Sequence, residues 1–242
     1  MALHFIVPTC SDLEEGELLT LTGAEAKHAS VVRRVRVGEA VTIGDGSGVW
    51  LEGTVEDVSA TQVMVRVTER VVQEQPRTRI VLAQALAKGD RDELAVQAAC
   101  ELGVDEIVPW QAARSISRWE GPKAEKGRER WATIVREAAK QSHRAWVPPV
   151  AEVVTTAQLV TRTGTQRMLV LDPTASTRLS GIQADDRDIL LVVGPEGGIS
   201  PEELQRLSDA GAERVRLGDT VLRTSTAGPA AIAVLSGILG RW

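Results

Sequence analysis

The sequence predicts an α/β protein, a small β-rich unit followed by a mostly parallel sheet with helices on both faces. Three observations carry that expectation. The 242 residues are 43% hydrophobic but only 3% aromatic, with one Phe, no Tyr and six Trp. The interior must therefore be built mainly from Val, Leu, Ile and Ala, as suits stacked α/β layers. From residue 77, short apolar runs alternate with helical tracts, the pattern of parallel strands buried on both faces. Three turns in the C-terminal half follow such runs: Leu171-Asp172-Pro173, Gly194 to Gly198, and Leu217 to Leu222. Open α/β sheets form their ligand crevice at the carboxyl ends of strands, so the site is expected where these turns converge.

Residues 1–72 read as the β-rich unit. Val41-Thr42-Ile43 leads into the glycine turn Asp45-Gly46-Ser47-Gly48, and strands are predicted over Val49–Val55 and Gln62–Val67. Ahead of them Thr22 and Glu25 have the spacing of a capping box and predict a helix running through Val31-Val32. Gln73-Glu74-Gln75-Pro76 breaks the hydrophobic pattern and predicts a boundary, with a second domain over 77–242. In that domain the strands expected are 79–84, 107–110, 168–171, 189–193 and 214–217. Helices are expected over 89–102, 128–142 and from about Thr226 to Leu239. Another begins at Pro201, with Ser200 as N-cap and Glu203 completing a capping box.

Composition also bounds the function. Cys10 and Cys100 match no metal spacing and suit a reducing compartment. His4, His28 and His143 have no compact ligand spacing, so no metal site is expected. The first residues carry no basic run ahead of a long apolar core, and no window reaches about 18 uninterrupted apolar residues. A cytoplasmic location and no membrane partner are the expectation. The net charge of −5 is unevenly spread: residues 1–72 hold six Lys/Arg against eleven Asp/Glu, and 114–144 hold nine against four. A local basic stretch binds phosphate even on an acidic chain. Arg33, Arg34 and Arg36 form a smaller positive cluster suited to phosphate.

The chain has neither G-x-G-x-x-G after its early strands nor G-x-x-x-x-G-K-[ST]. Glu196 stands where a phosphate ligand would want no acid, so an adenosine-like ligand fits the Gly194-Pro195-Glu196-Gly197-Gly198 turn better than a polyanion. The same turn serves equally as a tight strand–helix connection beside Ser200, and local chemistry leaves both readings open.

A longer set of motifs is more specific. It comprises Gly194-Pro195-Glu196-Gly197-Gly198-Ile199-Ser200 with Glu203, and Leu217-Gly218 followed by Val221-Leu222-Arg223-Thr224 and Thr226-Ala227. It continues with Glu101-Leu102-Gly103-Val104 with Ile107 and Pro109, Arg130-Trp131 leading to Gln141-Ser142 and Arg144, and His28 with Arg34 and Gly38. In this order, over almost the whole chain, the sequence resembles the RsmE-like bacterial methyltransferases that modify N3 of a uracil in small-subunit ribosomal RNA. These belong to the SPOUT, or trefoil-knot, class. The resemblance implies a C-terminal α/β trefoil-knot methyltransferase domain, a small N-terminal PUA-like β-barrel domain that grips RNA, S-adenosyl-L-methionine as cofactor, and a homodimer. The implied partner is 16S ribosomal RNA, within the 30S subunit.

Carried onto this chain, the resemblance implies cofactor contacts from Leu171, Val193, Gly194, Pro195, Glu196, Gly197, Leu217, Gly218, Val221 and Leu222. Arg223, Thr224, Thr226 and Arg144 are the candidates for substrate and catalysis, and Thr224 and Thr226 could equally cap the last helix. His28, Arg33, Arg34 and Arg36 are the candidates for RNA binding. The chain departs from the family pattern in having Ser225 for a usual Glu, Lys140 for Glu, His143 for Gly and Ala98 for Lys. Two other readings stand beside this one: a non-catalytic RNA-binding assembly factor, and a knotted methyltransferase acting on another RNA position.

Overall fold

In the computed structural model, which describes residues 2–242, one compact unit comprises the chain through Gln75 together with Ala139–Val147. Its strands are β1 (Leu3–Ile6), β2 (Leu18–Leu21), β3 (Ala40–Gly44), β4 (Val49–Val58) and β5 (Val63–Val72), in the order β1-β3-β4-β5-β2. Only the β1–β3 pair is parallel. Alternate residues of β4 and β5 point inward, so Leu51, Val55, Val63, Val65 and Val67 meet Phe5, Leu19, Leu21, Val41 and Ile43 in one core. The strands expected over 41–43, 49–55 and 62–67 are present as β3, β4 and β5; β1 and β2 were too short and too mixed in polarity to predict.

The glycine turn between β3 and β4 has a specific use. Gly48 has φ +107, and a Cβ there would sit 2.6 Å from the Trp146 ring. The close approach lets the Gly48 amide donate to Ala145 O (3.1 Å) and the Val147 amide to Gly46 O (2.9 Å), which stitches the 139–147 segment onto the turn. The Trp146 indole N–H closes the joint on Gln73 O at 2.8 Å.

The predicted capping box at Thr22 does not form. Thr22 is the N-cap of α1 (Gly23–Lys27) but makes no side-chain cap hydrogen bond. Glu25 instead accepts from Lys140 Nζ at 2.8 Å, an ion pair that is almost wholly buried and outcompetes a local cap. After α1 the chain widens into a π-type turn over His28–Val32.

The second unit comprises Pro76–Ala138 and Pro148–Trp242. Its strands are β6 (Ile80–Ala85), β7 (Glu106–Gln111), β8 (Val154–Thr155), β9 (Arg167–Leu171), β10 (Ile189–Val193) and β11 (Glu213–Val215). All are parallel, in the order β11-β9-β10-β6-β7-β8. Its helices are α2 (Arg91–Glu101), α3 (Pro122–Gln141, whose last turn belongs to the first unit), α4 (Thr156–Val160), α5 (Pro201–Asp209) and α6 (Thr224–Ile238). Every residue of β6 and β10 is buried, as a sheet covered on both faces requires. One face packs Val81, Ala83, Leu190 and Val192 against Leu159 and Leu207 of α4 and α5. Over the other lie α6 and its neighbour α2.

Helix ends differ from the sequence expectation where punctuation was ambiguous. α3 starts at Pro122, which follows Gly121 at φ +53 and fits the first helical position, six residues before the expected start. α6 starts at Thr224 for a tertiary reason given below. The last strand ends at Val215, because Arg216 leaves the sheet to pair with the Thr177–Leu179 segment. The capping box at Ser200 and Glu203 is complete, with both bonds at 3.2 Å. Among the described residues no helix is long and apolar enough to cross a membrane.

In the first unit His4 is 5% exposed and stacks on Trp50 at 4.4 Å between ring centroids. Its Nδ1 lies 3.0 Å from Thr42 Oγ1, while its Nε2 is buried without a partner among the described residues. Burial, then the nearby His143 and Lys140, lower its pKa from 6.5 to about 4. The unfolded chain thus binds a proton at His4 that the folded chain refuses, so stability falls as pH drops from 6.5 towards 4. Urea midpoints measured across that window should show this slope, and His4→Phe, which keeps a ring against Trp50 but cannot titrate, should flatten it.

Candidate active site

The ends of β9 and β10 open into a cleft of about 560 Å³. Three turns form it. The first leaves β9 through Leu171, Asp172, Pro173 and Thr174; the second leaves β10 through Gly194, Pro195, Glu196 and Gly198; the third is Val221-Leu222-Arg223, leading into α6. Ile199, Leu204 and Ala227 complete an apolar wall. A smaller recess of about 70 Å³ shares Leu171, Leu222 and Ala227 with the cleft and continues past Leu217 and Gly218.

The floor is fixed by a buried relay. Gln84, fully buried at the end of β6, donates from Nε2 to Thr224 Oγ1 at 2.9 Å. Thr224 in turn donates to Gly194 O at 2.8 Å. This pair of bonds pins the first residue of α6 to the ends of β6 and β10, which is why the helix begins at Thr224. It also turns Gly194 tightly: a Cβ on Gly194 would lie 2.6 Å from Ile199 Cγ1. Only glycine permits that approach.

Both cleft carboxylates are held ionised. Burial pushes Glu196 up, but hydrogen bonds from its own amide, from the Lys88 amide and from Arg91, with the Arg91 charge, hold it below the usual range. Asp172 behaves alike: burial raises its pKa, and the Thr174 amide and hydroxyl and the Arg214 guanidinium outweigh it. Neither group is a strong base, and both are negative at neutral pH.

The loop over 217–222 is the opposite of a saturated turn. Among the described residues the backbone amides and carbonyls of Leu217, Gly218, Val221 and Leu222 make no hydrogen bond within the chain. Val221 is 77% exposed. Unpaired backbone edges beside an apolar wall are what a planar, partly polar ring such as adenine needs.

Of the residues singled out by sequence, Leu171, Val193, Gly194, Pro195, Glu196, Val221, Leu222, Arg223 and Thr224 line the cleft, and Leu217 and Gly218 line its recess. Gly197 lies outside the lining, its carbonyl capped by Arg114 Nη1 at 3.0 Å. Thr226 is exposed on α6 and outside the lining. Arg144 belongs to the 139–147 segment of the first unit. His28, Arg33, Arg34 and Arg36 lie on one stretch of that unit. The three arginines are exposed, whereas His28 Nδ1 lies 3.1 Å from Lys140 Nζ. An ammonium only donates, so Nδ1 is the acceptor. Sequence reasoning missed Gln84 and Arg91; the one signal for Gln84 was a polar residue closing an otherwise apolar strand.

Thr224→Val keeps the shape of the side chain and removes both bonds, leaving the part-buried Gly194 carbonyl unpaired and the buried Gln84 amide with only its bond to Ala85 O (3.2 Å). A loss of roughly 1–3 kcal/mol is expected from chemical unfolding. A variant as stable as the parent would show that the relay does not hold the floor.

Comparison with known proteins agrees with this geometry. The model of the RNA methyltransferase domain matches residues 73–236, and that of the RNA methyltransferase PUA domain matches residues 21–68. The chain is similar to the Ribosomal RNA small subunit methyltransferase E of Mycobacterium bovis, at 42% identity over all of this chain and 94% of that one. The protein of the same name from Bacillus subtilis is 32% identical over 98% of this chain and 96% of its own. The crystal structure of the Neisseria gonorrhoeae Ribosomal RNA small subunit methyltransferase E bound to S-adenosyl methionine superposes with a TM-score of 0.89. It is 29% identical and covers 98% of each chain. The SPOUT-type α/β fold and the PUA-like N-terminal unit implied by the motifs are thus those of this molecule. The chain belongs to the RNA methyltransferase family.

Proposed function

We propose that this protein transfers a methyl group from S-adenosyl-L-methionine to N3 of a specific uridine in 16S ribosomal RNA, in the cytoplasm, as a homodimer acting on the 30S subunit. The observation that supports this most is the cleft itself: an apolar pocket at the strand ends, edged by backbone and by an arginine, Arg223, that are unpaired among the described residues. The residues fit the cofactor chemically. Leu171, Val193, Pro195, Ile199, Leu222 and Ala227 provide an apolar slot. The open backbone of 217–222 can meet an adenine edge, and the ionised Glu196 and Asp172 favour a cationic ligand over a polyphosphate.

When bound, the cofactor supplies an electrophilic methyl group on a sulfonium. The work of the chain is placement and charge. N3 of uracil is a weakly acidic imide nitrogen, and it must lose its proton to solvent water as it becomes the nucleophile. Among the described residues the cleft lining contains no histidine, and its two carboxylates are weak bases because backbone amides, the Thr174 hydroxyl and then arginines hold them ionised against burial. Arg223 is exposed at the mouth and in no ion pair among the described residues. It stabilises the developing imide charge and fixes the base, so that the reaction is promoted by preorganised positive charge. Ser225 follows Thr224 on α6 and offers a hydroxyl, which adds no base. Thr224 serves by holding the floor. Arg33, Arg34 and Arg36 of the first unit bind phosphate, with Arg144 as a further RNA contact.

The test is tritiated methyl transfer to 30S subunits lacking the modification, followed by nucleoside mass spectrometry. 3-Methyluridine absent from controls is the expected product; a folded sample that shows no cofactor binding and no transfer refutes the reading. Arg223→Ala should lower turnover about 100-fold or more while cofactor affinity stays within a few-fold. Equal loss of both would place Arg223 in cofactor binding or folding instead.

A further inference from the structure

We infer that the loop from Ala113 to Trp119 is a second RNA-contacting element, carried by the catalytic unit. Arg114 and Arg118 take phosphates and Ile116 packs on a base beside the target nucleotide. This rests on the reading that the substrate is RNA. The loop borders the cleft: Arg114 Nη1 binds the carbonyl of Gly197, whose two chain neighbours, Glu196 and Gly198, both line it.

The loop is held firmly from beneath. The Ala113 amide donates to Glu203 Oε1 (2.9 Å), a carboxylate already fixed by the Ser200 capping box and by the Thr156 hydroxyl. The Ser115 amide donates to Ala112 O (3.1 Å), and the Trp119 amide to Gln111 Oε1 (2.9 Å). The Trp119 ring stands edge-on to Trp131 at 5.0 Å. On this base Ile116 is raised into solvent with 66% of its surface exposed. A fixed apolar tip loses little entropy when it binds, unlike one on a mobile loop.

Charge selects the partner. Arg114 and Arg118 flank Ile116, both exposed, and their hydrogen bonds go to carbonyls, Gly197 O and Ala113 O. Neither is in an ion pair among the described residues, although the Arg114 charge is felt by the Glu202 carboxylate, and both have spare donors for a phosphate. Beneath them the Ser115 hydroxyl is buried with no partner among the described residues. N3 of uracil lies on the Watson–Crick edge, so the target must be unpaired and drawn out before it can react. An apolar side chain between two phosphate-binding arginines is suited to the space that base leaves.

Binding of full-length protein to 30S subunits and to naked 16S RNA, measured over a salt series, tests the inference alongside methyl transfer. Ile116→Ser should weaken RNA binding about tenfold, Ile116→Phe should retain it, and cofactor affinity should be unchanged in both. Arg118→Gln should flatten the salt dependence by roughly one phosphate contact. Equal RNA binding by all variants would overturn the inference, as would a parent protein that binds no RNA. A change in oligomeric state by light scattering for Ile116→Ser would also overturn it, assigning the tip to contact with a second copy. Weakened RNA binding with no methyl transfer by the parent would leave the loop inference standing and remove the catalytic reading.

Discussion

The hydrogen bonds from Gln84 through Thr224 to Gly194 are the constraint on which the site depends. They join three segments distant in sequence: the end of β6, the turn after β10 and the first residue of α6. Each is useful only in the presence of the others. Without Thr224 the buried amide of Gln84 keeps only its bond to Ala85 O, the Gly194 turn loses the bond that bends it, and Arg223 is no longer delivered to the mouth of the cleft. The relay is small, but it sets where the last helix begins and so where the last loop is free to stand open.

Around that floor, polar groups divide into the satisfied and the deliberately open. Asp172, Glu196 and Glu203 each collect several donors, and each thereby locks a turn. Among the described residues the backbone of 217–222 collects none. A site assembled in this way is rigid where the ligand must be aimed and unpaired where it must be recognised, a division that preorganised binding requires.

The first unit shows the same economy with a different residue set. Lys140 is buried, yet it meets Glu25 and His28, so its charge has partners on both sides. His143 has φ +55, the backbone conformation glycine adopts without strain. Its ring lies 5.6 Å from that of His4, so the side chain that strains the backbone also joins an aromatic stack. The departures at 140 and 143 therefore form part of one packed cluster in the 139–147 segment.

The sequence by itself determined the strand–helix alternation, the largely apolar β6 and wholly apolar β10, the capping box at Ser200 and the three turns that carry the cleft. Each of these depends on residues close in the chain, whose periodicity and turn chemistry are local. Motif order also made Leu171, Gly194 and Leu222 legible as cleft residues. Tertiary structure alone decided the rest. Glu25 abandons the cap its spacing predicted because Lys140, 115 residues away, offers a buried charge. Gln84 acquires its role only when Thr224, 140 residues later, is folded over it. Thr226 faces solvent although Thr224, two residues before it, is buried, since the helix starts at 224 and turns the later side chain away. Long-range partners replace local ones wherever burial makes an unpaired polar group costly, and no reading of neighbouring residues reveals which partner that will be.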